Sequence, residues 1–266
     1  MSVTEVFEKA RAEGRAVSVG CMPAGFPTVE RSIASMLAMA EAGIDVIEVE
    51  LPYSDPVMDG PVIQRASEIA LAGGVRTKDT LRAIEAVART GVRVVLMTYW
   101  NPIERYGVDA FARDLAAAGG AGLVTPDLIP DEAGEWLAAS DAHQLDRTFL
   151  VSPSSTDARL AMTVARCRGF VYATAVMGVT GARDQTSAAA PALVARVRAV
   201  TDLPVGVGLG VRDGAQAAEV GSFADAVIVG SALVRCVLEA PDEAAGLASL
   251  RALSADLARG VRAVKR

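Results

Sequence analysis

The sequence predicts an α/β fold, specifically a (β/α)8 barrel of the phosphate-binding type, and three observations carry that expectation. Eight short runs of β-branched or apolar residues recur, each followed by an Ala- and Leu-rich segment with helical spacing. No linker or low-complexity stretch interrupts the alternation. The glycines suited to anion binding cluster at the end of the series, whereas an open doubly wound sheet would need them after its first strand. Strict alternation implies a parallel sheet, and eight units is the number that closes one into a barrel. Because barrels of this length are usually one domain, residues 1–266 are expected to form a single one.

The strands are expected at 16–22, 45–51, 93–99, 122–128, 147–152, 169–175, 204–211 and 225–231. Between the first two, a helix over 29–42 would place Ile33, Met36, Leu37 and Ala40 on one face, with Gly43 as its stop. After the eighth strand, Leu247, Leu250, Leu253 and Leu257 recur at three- and four-residue intervals in a helix over 242–264, which should pack across the outside of the barrel.

The apolar fraction is 52% and the mean hydropathy +0.33, but the excess is mostly Ala and Val spread along the chain. No apolar run approaches the ~18 residues that cross a bilayer, and the charged N-terminus lacks a signal core, so a cytoplasmic protein is expected. The net charge is −6 and the cations are mixed among acids, leaving no basic stripe for a nucleic acid or an anionic membrane. Cys21, Cys167 and Cys236 are isolated and odd in number, which fits buried core thiols in a reducing compartment. His143, the sole histidine, lies in a polar stretch that reads as a solvated loop, and a His-rich zinc site is excluded.

Chemistry in such barrels stands at the C-terminal strand ends. Gly206, Gly208 and Gly210 end the seventh strand, while Gly230 and Ser231 end the eighth, both ahead of helices. Backbone N–H groups there can hold a phosphate without Lys or Arg; tight turns alone would also account for the glycines. In the second window, alternation puts Val46, Glu48 and Glu50 on one face and Ile47, Val49 and Leu51 on the other. Glu48 should then point inward, where a buried carboxyl must be paired or used and could exchange protons near a pKa of ~6–7. Asp59 follows in a loop held by Pro52, Pro56 and Pro61, and Asp55 reads equally well as a turn former. None of the lysines, Lys9, Lys78 and Lys265, stands at a strand end, which argues against a Schiff base. Metal assistance is not expected, for want of histidines or clustered acids. A polar loop over 177–187 with two glycines reads as a lid.

Taken together, several segments resemble the tryptophan synthase alpha subunit family. They are Pro23-Ala24-Gly25-Phe26-Pro27, Glu48 with Pro52-Tyr53-Ser54-Asp55-Pro56 and Asp59-Gly60-Pro61, Thr98-Tyr99-Trp100-Asn101-Pro102, Pro126-Asp127-Leu128, Met177-Gly178-Val179-Thr180-Gly181, Gly206-Val207-Gly208-Leu209-Gly210 and Val229-Gly230-Ser231. The resemblance implies retro-aldol cleavage of indole-3-glycerol phosphate to indole and D-glyceraldehyde 3-phosphate, without a cofactor on this chain. It implies Glu48 as the acid–base, Asp59 as the stabiliser of charge at the indole N–H, and Tyr172 beside Glu48. Thr180, Gly181, Gly208, Gly210, Gly230 and Ser231 would meet the substrate and its phosphate, and Tyr99, Val124 and Pro126 would wall the indole pocket.

The resemblance also implies a pyridoxal-phosphate beta subunit as partner in an alpha2-beta2 complex, met through a face that includes Asp55, Pro56 and Asn101. A free-standing indole-releasing lyase, a weakened barrel that mainly activates its partner, or another phosphate-sugar enzyme such as an isomerase are the alternatives. Glu50 stands where the family usually has glycine, and a second inward carboxylate is expected to raise the pKa of Glu48 by repulsion unless the strand turns it away.

Overall fold

The computed structural model describes residues 2–174, 189–208 and 210–264. Eight parallel strands close into a TIM barrel in sequence order. They are β1 (Val17–Pro23), β2 (Val46–Glu50), β3 (Arg93–Met97), β4 (Gly122–Thr125), β5 (Asp146–Val151), β6 (Val171–Thr174), β7 (Val205–Gly208) and β8 (Ala226–Val229). All eight lie within a residue of the expected segments at their starts or just inside them, and most are shorter at their C-terminal ends. There the chain leaves the sheet to form the loops of the barrel mouth.

The helices are α1 (Thr4–Ala12), α2 (Val29–Glu41), α3 (Pro61–Ala72), α4 (Thr77–Ala88), α5 (Trp100–Tyr106), α6 (Val108–Ala117), α7 (Gly134–Ala142), α8 (Asp157–Val164), α9 (Ala189–Arg198), α10 (Gly214–Gly221), α11 (Ser231–Leu238) and α12 (Glu243–Ala263). No helix among the described residues is long and apolar enough to cross a membrane.

Strand alternation sorts the core into two layers. Ile47, Val49 and Leu51 pack outward with the helices, while Val46 joins Val19, Cys21, Val95, Val124 and Ile228 inside the barrel. Helix α1 closes the bottom, where Phe7 lies 5.7 Å from Phe170 between ring centroids. The buried Asp146 receives the Val3 N–H at 2.8 Å and the Ser2 hydroxyl at 2.9 Å, tying the N-terminus to β5.

Two helical expectations need adjustment. In α2 the buried stripe runs through Ser32, Ser35, Met36 and Met39, with Ile33, Leu37 and Ala40 packed at its edge. Ser32 can sit inside because its hydroxyl accepts the Gly25 N–H and donates to the Val29 carbonyl. Gly43 ends this helix with φ +100°, as its position predicts. His143 caps the C-terminus of α7 instead of lying in a loop, and its ring meets Asp109 at 2.9 Å. Helix α12 packs across α10, α11 and α2 on the outside of the barrel. It touches α10 so closely that a Cβ on Gly260 would stand 2.1 Å from the Gly214 carbonyl oxygen.

Candidate active site

The mouth of the barrel gathers acids from β2 and the loop after it. Glu48 faces inward and is 1% exposed, Glu50 is 8% exposed, and Asp59 is 7% exposed. Parallel pairing sets Cys21 of β1 beside Glu48, and the Cys21 thiol donates to Glu48 Oε1 at 3.0 Å. The other oxygen, Oε2, is buried without a hydrogen-bond partner among the described residues. Burial lifts the Glu48 pKa to about 7, against a smaller lowering by the thiol hydrogen bond.

Glu50 does not turn away, but the expected repulsion falls on it instead of on Glu48. Burial first, then the charges of Asp59 and Glu48, push Glu50 well above the ordinary carboxyl range. These effects favour the protonated form of Glu50 and so weaken its charge on Glu48, whose own shift comes from burial. Cys21, expected to be a core thiol, is buried, yet it touches the central acid of the site; Cys167 and Cys236 are only half-buried. Glu48 and Asp59 share the mouth as expected of the second window, and Glu50 joins them there, so acids do cluster where none were expected for a metal.

Asp59 is held from the loop that follows β3. The Tyr99 hydroxyl donates to Asp59 Oδ1 at 2.9 Å and accepts the Met58 N–H at 3.1 Å, while Gln64 Nε2 donates to the Asp59 carbonyl at 2.7 Å. Burial raises the Asp59 pKa and the tyrosine hydrogen bond opposes it. Tyr99 thus orients the carboxyl as well as filling space, and its ring packs 5.2 Å from Tyr53. Val124 lies in the inner layer and Pro126 is half-buried on the loop beyond.

Tyr172 on β6 leans over β7. A Cβ on Gly208 would lie 2.7 Å from its hydroxyl, so the glycine is what admits the phenol there. Burial raises the phenol pKa, followed by the charge of Glu48, which places that carboxyl close by. Gly210 has φ +69°, a left-handed turn that favours glycine, immediately beyond β7. Gly230 is the N-cap of α11 and Ser231 begins it, with no side-chain cap for the first turn among the described residues. Thr180, Gly181 and the proposed lid over 177–187 lie outside the described residues.

Around this mouth, Asp55 and Asn101 are exposed and Pro56 is half-buried. Asn101 donates to the Tyr53 hydroxyl at 3.1 Å, and the Trp100 N–H donates to Asp127 at 2.9 Å, joining the loops after β2, β3 and β4.

Comparison with known proteins agrees with this arrangement. The profile of the family described as tryptophan synthase alpha chain matches residues 7–262. The tryptophan synthase alpha chain of Salinispora arenicola is 80% identical over 256 residues, covering 96% of each chain, and that of Acidothermus cellulolyticus is 64% identical over 261 residues, covering 98% and 97%. A solved Mycobacterium tuberculosis tryptophan synthase superposes with a TM-score of 0.92 at 62% identity, covering 98% of both chains. The alpha subunit from Legionella pneumophila superposes with a TM-score of 0.87 at 33% identity and the same coverage. This chain, with its inward carboxyl on β2, a second one on the following loop and two glycine-built turns, is matched almost end to end, and it belongs to the tryptophan synthase alpha chain family.

Proposed function

We propose that Glu48 and Asp59 carry the alpha reaction of tryptophan synthase, in which indole-3-glycerol phosphate is cleaved to indole and D-glyceraldehyde 3-phosphate. The observation that supports this most is the buried Glu48, whose pKa of about 7 leaves it able both to give and to take a proton at neutrality. Glu48 protonates indole C3, which turns the ring into an electron sink, and Asp59 stabilises the positive charge that appears at the ring N–H. The Glu48 carboxylate then takes the proton of the glycerol hydroxyl nearest the ring. The C–C bond breaks as the new carbonyl forms, its electrons restore the indole, and Glu48 regains the proton it gave.

Gly208, Gly210, Gly230 and Ser231 offer backbone N–H groups to the phosphate, and Thr180 with Gly181 adds to that site. Tyr172 lies beside Glu48 and the glycerol. Tyr99 positions Asp59 while forming part of the indole wall. The whole chain works as one domain in the cytoplasm, as the alpha subunit of an alpha2-beta2 complex whose beta subunit carries the pyridoxal phosphate. The face presented to that partner includes Asp55, Pro56 and Asn101. No cofactor serves on this chain. The near full-length family match favours this role over a free-standing lyase, a weakened scaffold or an isomerase.

The test is an indole-release assay on indole-3-glycerol phosphate, with the chain alone and mixed with a beta subunit. Activity should rise on mixing, and Glu48→Gln or Asp59→Asn should each lower turnover by roughly 10²-fold or more. Full turnover in Glu48→Gln would end the assignment, and a rate indifferent to the beta subunit would point to the free-standing lyase.

A further inference from the structure

We propose that Cys21, Glu48 and Glu50 form a binding site for a thiophilic divalent cation, with Zn2+ as the type, at the mouth of the barrel. The pairing of β1 with β2 sets Cys21 opposite Glu48 and Pro23 opposite Glu50, so that one thiol and two carboxyls project into the same interior space. One ligand atom from each lies within 4.8 Å of the others, and all three residues are buried. Donors on a tetrahedral zinc stand about 3.5 Å apart, given bonds of about 2.3 Å to sulfur and about 2.0 Å to oxygen. The Cys21 Sγ to Glu48 Oε1 distance is already 3.0 Å, so small side-chain rotations would complete the set.

An independent feature points the same way. Among the described residues Glu48 Oε2 is buried with no hydrogen-bond partner, an arrangement that leaves a strong acceptor unused. Among the described residues no cationic side chain acts on the three groups; the charges they feel are one another's and that of Asp59. A divalent cation supplies the missing positive charge. On binding, the thiol and any protonated carboxyl release their protons to solvent, giving a thiolate and two carboxylates around the metal. A sulfur and two oxygens suit a borderline-soft ion, and one position stays open for water.

The bound cation would occupy the oxygens of Glu48 and so inhibit lyase turnover. That consequence rests on the role proposed above for Glu48, whereas the binding does not.

The whole purified chain, stripped with a chelator, is titrated with Co2+ and then Zn2+. One Co2+ per chain should bind with a near-ultraviolet thiolate-to-cobalt band, and one equivalent of Zn2+ should remove the band. Cys21→Ser should abolish it. Glu50→Gly should weaken Zn2+ by at least roughly tenfold in competition with a chromophoric chelator, with circular dichroism showing both variants folded. Saturating Zn2+ should lower indole release at least tenfold, reversibly on chelation. In Glu50→Gly the half-inhibiting concentration, measured against that variant's own metal-free rate, should rise at least tenfold. Absence of stoichiometric binding, or a band that survives Cys21→Ser, would overturn the site. Stoichiometric, Cys21-dependent binding without inhibition would sustain the site and refute the part assigned to Glu48.

Discussion

A carboxyl as deeply buried as that of Glu48 keeps its proton to higher pH because its ionised form has lost most of its water. The raised pKa also bears on stability. The free carboxyl value is 4.5 and the folded value about 7, so folding favours the protonated form. Below the free value both states hold the proton and the fold has its full stability. As pH rises through about 7 the folded chain must ionise a buried group, and that stability is lost. A tenfold difference in proton affinity between the folded and unfolded chain corresponds to about 1.4 kcal/mol, which makes the change roughly 1–3 kcal/mol between pH 5 and pH 8. Glu48→Gln removes the ionisation, so its unfolding free energy relative to the natural chain should increase by that amount across this window. Denaturant curves at the two pH values check it, and an offset that does not change with pH would refute it. The neighbouring Glu50 follows the same physics further, since two acids act on it in addition to burial.

At the scale of elements, close approach between adjacent strands governs where the site's side chains can stand. Tyr172 reaches over β7 because Gly208 has no Cβ, and a methyl group there would sit 2.7 Å from the phenol oxygen. Gly208→Ala should therefore displace Tyr172 with little change in melting temperature and lower indole release by roughly 10–100-fold, since a shift of about 1 Å at a reacting centre has effects of that order. Restored turnover in the double variant Gly208→Ala, Tyr172→Phe would locate the loss in the phenol; a Gly208→Ala chain that turns over normally would show that the glycine serves only the turn. The loop after β2 illustrates the complementary device. Pro61 begins α3 behind the Gly60 cap, and Tyr99, just beyond β3, ties Asp59 and Met58, so an irregular segment is held on two sides.

For the molecule as a whole, the barrel has a chemical end and a structural end. At the bottom, α1 covers the inner core, and Asp146 anchors it by accepting from Val3 and Ser2. Burial raises the Asp146 pKa while these hydrogen bonds oppose the rise. Asp146→Ala leaves the buried Val3 N–H without its acceptor and releases the half-buried Ser2 hydroxyl, and the expected cost is roughly 1–3 kcal/mol of unfolding free energy. Hydrogen exchange should show α1 losing protection before the strands do. Unchanged protection of α1 would mean that Phe7 packing alone secures the plug.

Periodicity is a local property, and it made the eight units, the inward face shared by Glu48 and Glu50, and the glycine-rich ends of β7 and β8 readable from the order of residues alone. Helix α1 escaped that reading because a charged amphipathic segment ahead of the first strand carries no local sign that it will plug a barrel. The meetings inside the mouth escaped it too. Cys21 reaches Glu48 across 27 residues and Tyr99 reaches Asp59 across 40. Alternation says that a side chain points inward; only closure of the sheet and the relative stagger of its strands decide which inward side chains touch, and hence which acids are pushed towards their protonated form, which is oriented and which is left with an unused oxygen.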